Sequence, residues 1–337
     1  MLKPEPDILK ISDLSVGYKK GSSIFSVFSS INSSAKSGEL IGLIGKNGSG
    51  KSTLLRTIVS LQPALAGRIL LKDKNLVEYS HNKLAKEISF VSTEILRASN
   101  LSVHELVCLG RFPYTNWLSK LTEVDILAIN KAINRCDIEY IAGKKIEEIS
   151  DGERQRTMIA RVLAQDTPLI VLDEPTSFLD MPTKYEIIHL LNRLTREEGK
   201  TIIFSSHDLS IAIGEVDKLW LMDDTKLTEG SAEDLILNGN FEHLFKETKL
   251  SFDIKTGNFK IKKGKGRPIS LKGKGIEYEW TKKALERLNL FVDESLSYPS
   301  IEIKHNKKTE WILFLNDNTY IFNSIYELIS YLRKIFN

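Results

Sequence analysis

The feature that most constrains the fold is a glycine-rich stretch, GKNGSGKST (Gly45–Thr53), between a short apolar run and a helix-forming segment. The run before it, ELIGLIG (Glu39–Gly45), is almost wholly apolar, which is typical of a strand buried on both faces of a parallel sheet. The segment after it, STLLRTI (Ser52–Ile58), has apolar residues at helical spacing. This order predicts an α/β fold with the loop at the carboxyl edge of a sheet.

The loop pattern itself predicts a phosphate-binding site. Its glycines let successive backbone N–H groups converge on an anion, and Lys51 supplies positive charge for β- and γ-phosphate oxygens. The N-terminus of the following helix favours the same anion, and the Ser52 hydroxyl can bind Mg²⁺. A chance glycine-rich turn is the alternative, but the flanking strand and helix argue against it. We therefore expect a nucleoside triphosphate to contact Gly45, Lys46, Asn47, Gly48, Ser49, Gly50, Lys51, Ser52 and Thr53.

Two adjacent carboxylates follow a second apolar run, in LIVLDEP. Asp173 is placed to hold Mg²⁺ through water, and Glu174 to orient and deprotonate an attacking water. Alone, such a pair is more often a solvated strand end, but the phosphate-binding loop about 120 residues upstream favours catalysis. His207 ends a further apolar run, KTIIFSS, and ISDGERQR places Ser150 and Gly152 at the start of a helix that can bind an anion.

Alternating apolar and polar residues predict a second, smaller sheet near the start of the chain. The segments ILKISDLSVGY, SIFSVFSSI and GRILLKD alternate and carry turn residues, which favours an antiparallel layer. The buried runs, including DKLWLM (Asp217–Met222), favour a mostly parallel sheet. Between Glu94 and Gln165 the pattern is mainly helical, with a loop-rich part around RFPYTNW (Arg111–Trp117).

The motifs GKNGSGKST, ISDGERQR, LIVLDEP and SFLD, with His207, resemble in order and spacing those of the ATP-binding cassette (ABC) ATPases. The resemblance covers about Ile8–Leu250 and implies a P-loop NTPase cassette: a RecA-like core, an antiparallel β layer and a helical subdomain at about residues 94–165. It implies ATP and Mg²⁺ as ligands and Tyr18 stacked on the adenine, although a core aromatic residue is the alternative for Tyr18. It also implies two cassettes paired head-to-tail, with two-fold symmetry if both are this chain. Each ATP would then lie between one P-loop and the partner's Ser150 and Gly152. In catalysis Glu174 would activate water, while Lys51 and His207 would stabilise charge on the γ-phosphoryl group.

A narrower resemblance rests on LGRFPY, within Val103–Asp125. This segment is similar to the helical subdomain of importer ATPases for iron-siderophores, haem and cobalamin. It implies an ATPase subunit that powers uptake of a metal chelate through a separate permease, with a substrate-binding protein as an indirect partner. The chain would then be cytoplasmic, on the inner face of the membrane. A soluble ABC ATPase without a permease and the cassette of an exporter are the alternatives.

Two positions depart from the family pattern. Where members usually have a glutamine that contacts Mg²⁺ and couples to the membrane subunit, ISFVSTE places Thr93, followed by Glu94. We expect one of these two to take over the role. The signature is ISDGE where LSGGQ is usual, and we expect Asp151 to face away from the phosphates because its charge would repel them.

Composition limits the other possibilities. A balance of 47 Lys and Arg against 44 Asp and Glu gives a net charge of +3, which excludes a dedicated nucleic-acid binder, and no nucleic-acid partner is expected. The two cysteines, Cys108 and Cys136, form neither a disulfide framework nor a CxxC metal motif. No signal-peptide pattern and no apolar run of about 18 residues occurs, so we expect a soluble intracellular protein.

Residues 251–337 differ from the rest, with 16 basic and 10 acidic residues. We expect a small α+β accessory domain: a flexible or edge-strand segment (Lys260–Lys274), a helix with Ile276, Trp280, Ala284 and Leu288 on one face, and a three-strand meander. A last helix should open with a Ser324–Glu327 capping box and bury Ile325, Leu328, Ile329, Leu332 and Ile335. A dimer-supporting or solvated tail is the favoured role and a regulatory module the next. Contact of Lys260–Lys274 with an anionic membrane or nucleic acid is a third.

Overall fold

The computed structural model describes residues 6–21, 23–93, 100–115, 120–223, 226–241, 249–254, 257–261, 264, 266–305 and 308–336. The chain divides into two compact units. The first unit comprises Met1–Glu247 with Phe252–Asn258, and the C-terminal unit comprises Thr248–Ser251 with Phe259–Asn337.

The strands of the first unit, in chain order, are β1 (Asp7–Lys20), β2 (Ser23–Lys36), β3 (Leu40–Gly45), β4 (Ala66–Leu71), β5 (Lys74–Asn75), β6 (Ile88–Val91), β7 (Leu169–Leu172), β8 (Thr201–Ser206), β9 (Lys218–Met222) and β10 (Leu227–Gly230). Its helices are α1 (Lys51–Ile58), α2 (His81–Leu84), α3 (Val103–Cys108), α4 (Glu123–Arg135), α5 (Asp151–Ala164), α6 (Met181–Glu198), α7 (Leu209–Glu215) and α8 (Ala232–Leu237). Short 3₁₀ helices cover Leu76–Glu78, Leu109–Tyr114, Glu139–Ile141 and Ile146–Glu148.

The main sheet has the strand order β10-β9-β3-β8-β7-β6, and only β10 runs antiparallel to its neighbour. A second sheet, β2-β1-β4-β5, is antiparallel throughout. Both sheets confirm the layers predicted from the apolar pattern. Because β3, β7 and β8 are parallel neighbours, their carboxyl ends meet at one edge, which is where the phosphate-binding loop begins.

Two cores cover the two faces of the main sheet, because successive side chains of a strand point to opposite faces. Leu40, Ile170 and Ile202 pack into a core with α3, α4, α5 and α6. Their neighbours Ile41 and Val171 pack into a second core with α1 and the antiparallel sheet. The central strands are therefore buried from both sides and hold the carboxyl edge in place.

One prediction in the helical part of this unit is wrong. We expected a loop-rich segment at residues 111–117, but Leu109–Tyr114 continues α3 as a 3₁₀ helix, and Trp117 lies outside the described residues. The buried Arg111 side chain explains why this segment is helical and not a loop, because its guanidinium donates hydrogen bonds to the Asp125 carboxylate at 2.8 Å and to the Ala164 carbonyl oxygen at 2.8 Å.

The C-terminal unit is built on a mixed sheet with the strand order β14-β13-β15-β16-β17. Its strands are β13 (Arg267–Lys272), β14 (Leu290–Val292), β15 (Ser300–His305), β16 (Thr309–Leu315) and β17 (Asn318–Phe322), and its helices are α9 (Ile276–Arg287) and α10 (Ile325–Phe336). Two short strands, β11 (Leu250–Asp253) and β12 (Asn258–Ile261), pair with each other before it. The predicted meander is confirmed, and its second turn places Asn316 and Asp317 at positive φ.

Two details of this unit, in β13 and in α9, differ from expectation. The segment Lys260–Lys274 was expected to be flexible or an edge strand, but its part Arg267–Lys272 lies between β14 and β15, since Ile269 and Leu271 fill the core. Ile276 and Trp280 are 69% and 57% exposed, because the buried face of α9 is rotated towards Thr281, Ala284 and Leu285.

In α10, Leu328, Ile329 and Leu332 are buried as predicted, but Ile335 in the last turn is exposed. The Ser324 hydroxyl accepts a hydrogen bond from the Glu327 amide, whereas the Glu327 carboxylate accepts one from Asn323, outside the expected capping box. Within the part of the chain that the structure describes, no helix is long and apolar enough to cross a membrane.

Candidate functional site

The phosphate-binding loop connects β3 to α1 by a turn that requires glycine. Gly48 and Gly50 have φ values of +81° and +100°, a conformation that side chains with a Cβ rarely adopt. A Cβ on Gly45 would lie 2.6 Å from the Met222 carbonyl oxygen on the neighbouring strand. The loop therefore closes tightly above the sheet and presents its amides at the N-terminus of α1.

Lys51 is buried across the mouth of this loop. Its ammonium group donates hydrogen bonds to the carbonyl oxygens of Gly45 at 2.9 Å and Lys46 at 3.1 Å. Burial lowers the pKa of Lys51, while the nearby charges of Glu174 and Asp173 act in the opposite direction. An ammonium group that has already lost most of its water interacts strongly with a phosphate.

The Asp173 carboxylate is 1% exposed and directly follows β7. Its Oδ1 accepts hydrogen bonds from the Ser52 hydroxyl at 3.1 Å and the Ser205 hydroxyl at 2.7 Å. Its Oδ2 is buried and has no hydrogen-bond partner among the described residues. A buried oxygen without a partner is unfavourable, so this atom is suited to a ligand that arrives with the nucleotide.

These groups fit Mg²⁺. A carboxylate and a hydroxyl at the phosphate loop are hard oxygen donors, and Mg²⁺ commonly uses one or two protein groups with phosphate oxygens and water. No cluster of three or more His, Cys, Asp or Glu that could hold a metal occurs among the described residues. Ser52 and Asp173 are the groups that would hold it.

Glu174 lies beside Asp173 with a strained backbone, at φ +49°. Its amide donates to the Ser205 hydroxyl at 2.8 Å, and its Oε2 accepts a hydrogen bond from the Ser177 hydroxyl at 2.7 Å. The Nδ1 atom of His207 is 3.8 Å from the same Oε2. Two of the three side chains predicted for catalysis, Glu174 and His207, therefore lie together at the ends of β7 and β8, and the third is Lys51 of the phosphate-binding loop.

A cleft of about 490 Å³ collects most of the predicted residues. It is lined by Tyr18, Asn47, Gly48, Gly50, Lys51, Ser52, Thr53, Glu174 and His207, together with Val27. Tyr18 is half exposed, and its hydroxyl shares a hydrogen bond of 2.8 Å with Thr53, so it is no core aromatic residue. Among the other loop residues, Ser49 has a buried hydroxyl with no partner in the described part of the chain.

Ser150 and Gly152 line a different cleft, of about 510 Å³. Ser150 begins α5 as its N-cap and forms a capping box with Glu153, whose pKa is lowered by hydrogen bonds from Ser150. Asp151 is exposed and pairs with Arg154 at 2.6 Å. A Cβ on Gly152 would meet Thr183 at 2.7 Å, so glycine lets α5 begin against α6.

Of the two candidates for the missing glutamine, Thr93 is exposed two residues after the end of β6, and Glu94 lies outside the described residues. Two contributors were missed from the sequence. Ser205 bonds Asp173 and Glu174, and Ser177 bonds Glu174. The only signal for Ser205 was a polar residue inside the buried run of β8.

Family comparisons agree with this geometry. A model described as "ABC transporter" matches residues 28–177, and one described as "Iron ABC transporter C-terminal domain" matches residues 266–333. A model described as "AAA domain, putative AbiEii toxin, Type IV TA system" matches residues 144–213, within the same first unit.

Similar proteins carry related names. The "Probable siderophore transport system ATP-binding protein YusV" of Bacillus subtilis is 35% identical over 69% of this chain and 83% of its own length. The "Iron(3+)-hydroxamate import ATP-binding protein FhuC" of the same organism is 38% identical over 60% of this chain and 74% of its own. Among solved structures, "Dimeric Structure of MJ0796, a Bacterial ABC Transporter Cassette" is 28% identical, with a TM-score of 0.58, over 66% of this chain and 98% of that one. The predicted fold class is confirmed, and the chain belongs to the ATP-binding proteins of ABC transporters, which are ABC ATPases.

Proposed function

We propose that this chain is the ATP-hydrolysing subunit of an importer that takes up a metal chelate, of the iron-siderophore, haem or cobalamin class, through a separate permease. The observation that carries the proposal is the match of residues 266–333 to the iron ABC transporter C-terminal domain. The names of the relatives, which specify siderophore transport and iron(3+)-hydroxamate import, support the same class of cargo.

The cleft accounts for ATP hydrolysis through residues of this chain. The loop amides and Lys51 bind the phosphates, and Tyr18 stacks on the adenine at the open side of the cleft. Glu174 accepts the proton of the attacking water, while His207 and Lys51 stabilise charge on the γ-phosphoryl group. Mg²⁺, when held beside Ser52 and Asp173, adds positive charge at the phosphate oxygens.

A second copy of this chain completes the site. Ser150 and Gly152 lie in a cleft separate from the phosphate loop of the same chain, so their contribution to an ATP requires a partner. The hydroxyl of Ser150 and the N-terminus of α5 would bind the partner's γ-phosphate. The related cassette MJ0796, which is described as dimeric, supports this pairing of two copies.

The permease docks on the helical subdomain, at a third cleft of about 590 Å³ that α5 shares with residues of β1 and α1. Its lining includes Phe90 and Ser92 at the end of β6, Met158 and Arg161 of α5, and Leu61 beyond α1. Thr93 directly follows Ser92, so a permease segment bound in this cleft would lie next to the position where family members usually have the coupling glutamine.

Substituting Thr93 and Glu94 by alanine, singly, should uncouple hydrolysis from transport in one variant. If both variants transport normally, neither residue has this role.

This docking would hold the chain on the cytoplasmic face of the membrane, with a substrate-binding protein as an indirect partner.

The chain then has two domains. Residues 1–250 form the ABC cassette, with a helical subdomain at about 94–165, and residues 251–337 form an accessory domain. Its separate core around Leu271, Leu313 and Leu328 supports this division. For the accessory domain we keep the two roles expected from the sequence, a dimer-supporting or solvated tail first and a regulatory module second.

The test is to purify tagged Glu174→Gln from detergent-solubilised membranes with ATP and identify the proteins that come with it. We expect a polytopic permease, and a screen of metal chelates on that complex then names the cargo. Soluble partners alone would instead favour an ABC ATPase without a permease. Cargo movement out of the cell would favour an exporter.

A further inference from the structure

Ser205 is the one buried hydroxyl, among the residues that the structure describes, that contacts both carboxylate residues of the site. The residue is fully buried near the end of β8. Its hydroxyl donates to Asp173 Oδ1 at 2.7 Å and accepts from the Glu174 amide at 2.8 Å. A serine hydroxyl has one donor and two acceptor positions, so these two bonds fix its orientation.

The first consequence concerns which oxygen of Asp173 is free. Oδ1 already accepts hydrogen bonds from Ser52 and Ser205, whereas Oδ2 has no partner in the described residues. The two hydroxyls thus hold the carboxylate in one rotamer and keep Oδ2 for the ligand. Without Ser205, only the longer bond to Ser52, 3.1 Å, would restrain it.

The second consequence concerns the backbone of Glu174. A glutamate at φ +49° persists only where its surroundings restrain it. The bond from its amide to Ser205 is such a restraint, and the Ser177 amide provides another by donating to the Glu174 carbonyl at 3.1 Å. The direction of the Glu174 side chain therefore depends on the same hydroxyl that orients Asp173.

We propose that Ser205 is a positioning residue that couples the Mg²⁺-binding carboxylate to the catalytic carboxylate through one hydroxyl. It touches neither nucleotide nor cation and acts through Asp173 and Glu174. This rests on the proposed hydrolysis of ATP at the cleft. Its loss should weaken the dependence of nucleotide affinity on Mg²⁺ and slow hydrolysis, while the phosphate loop itself stays intact.

The test compares Ser205→Thr with Ser205→Val in the full chain. Threonine and valine have nearly the same shape, so both variants add similar bulk at a packed position, and only threonine keeps the hydroxyl. We expect Ser205→Val to lower kcat and the Mg²⁺-dependent gain in affinity for a fluorescent ATP analogue, each by about 10–100-fold, the usual effect of losing a group that orients a metal ligand. Affinity measured in EDTA should stay near that of wild type, and Ser205→Thr should recover both parameters.

Ser205→Ala and Ser89→Ala form a second pair if the larger side chains do not fit. Ser89 is also a buried serine in a strand, and its hydroxyl accepts a hydrogen bond from the Thr167 hydroxyl. The Thr167 hydroxyl is also close to the Leu169 carbonyl oxygen. We expect only Ser205→Ala to lose the Mg²⁺-dependent gain. Equal behaviour of folded threonine and valine variants, or of the two alanine variants, would overturn the proposal, as would a loss of affinity in EDTA. The affinity measurement needs no ATP hydrolysis. If the wild-type protein proved inactive, the proposed function would be contradicted, but the affinities would still show whether Ser205 positions Asp173.

Discussion

At the residue scale, the two adjacent carboxylates that follow β7 lie in different environments. Asp173 is buried, and one of its oxygens is saturated by hydroxyls, which suits a cation-binding group. Glu174 is only partly buried and lies beside His207 on the cleft, which suits a proton acceptor. Two adjacent residues can have such different environments because β7 ends just before them, at the edge of the cleft.

Replacing Glu174 by glutamine removes the proposed proton acceptor with little change in shape. We expect hydrolysis to slow by about 10²–10⁴-fold, while ATP affinity stays close to wild type. Phosphate release gives the rate, and a fluorescent ATP analogue gives the affinity. A variant with normal turnover would remove Glu174 from this role.

Replacing Tyr18 separates stacking from its hydrogen bond to Thr53. We expect Tyr18→Ala to weaken ATP binding by about 0.5–1.5 kcal/mol, the usual range for an aromatic contact, and Tyr18→Phe to bind nearly as wild type. Isothermal titration of ATP and of inorganic triphosphate tests this. Triphosphate should bind alike to all three proteins, and an equal loss for both ligands would contradict stacking on the base.

At the element scale, the beginning of α5 has two roles that separate variants can distinguish. The Ser150 hydroxyl caps the helix within its own chain by accepting from the Glu153 amide. The same end of α5 is the surface we assign to the partner's nucleotide. Stability therefore depends on the acceptor oxygen of Ser150, whereas dimerisation depends on its uncharged hydroxyl, which can donate a hydrogen bond to the partner's γ-phosphate.

Ser150→Ala should lower the free energy of unfolding by about 1 kcal/mol, because it loses the cap, whereas Ser150→Asp should retain it. Both should lose ATP-driven dimerisation, the aspartate because its charge opposes the γ-phosphate. Urea unfolding and size-exclusion chromatography with ATP in a Glu174→Gln background measure the two effects. An aspartate variant that dimerises with ATP would contradict the assigned contact.

The buried pair Arg111–Asp125 ties the 3₁₀ segment to α4 and gives this region a pH dependence. Hydrogen bonds from the Thr122 hydroxyl and amide, and then Arg111, hold the pKa of Asp125 below its ordinary value of 3.8. A carboxyl whose pKa is lowered on folding stabilises the protein above its unfolded pKa. That stabilisation is lost as the pH falls through the folded pKa.

Asp125→Asn should therefore destabilise the protein by about 3–5 kcal/mol near neutral pH, because it leaves a buried guanidinium without its partner. The difference from wild type should shrink as the pH falls below 3.8 and Asp125 itself becomes neutral. Urea unfolding at several pH values measures it, with the exposed Asp151→Asn as control. A difference that does not change with pH would contradict the assigned charge.

At the scale of the whole molecule, the sequence predicted what local patterns determine. The phosphate-binding loop, the carboxylates after β7 and the mostly parallel character of the main sheet are each set by short segments that can be recognised from the sequence alone. Ser205 was missed because its role arises from pairing between β7 and β8, which are about 30 residues apart in the chain. The exposed Trp280 and the inner position of β13 were missed for the same reason, since burial depends on neighbours distant in sequence.

Reconstitution of the chain with its co-purified permease in vesicles measures the central claim most directly. We predict that ATP hydrolysis rises with the metal chelate supplied on the side of the binding protein, and that labelled chelate moves towards the side of the ATPase. The matched Glu174→Gln complex should assemble and do neither. Chelate movement in the opposite direction, or hydrolysis and movement that persist in Glu174→Gln, would contradict an importer driven by this site.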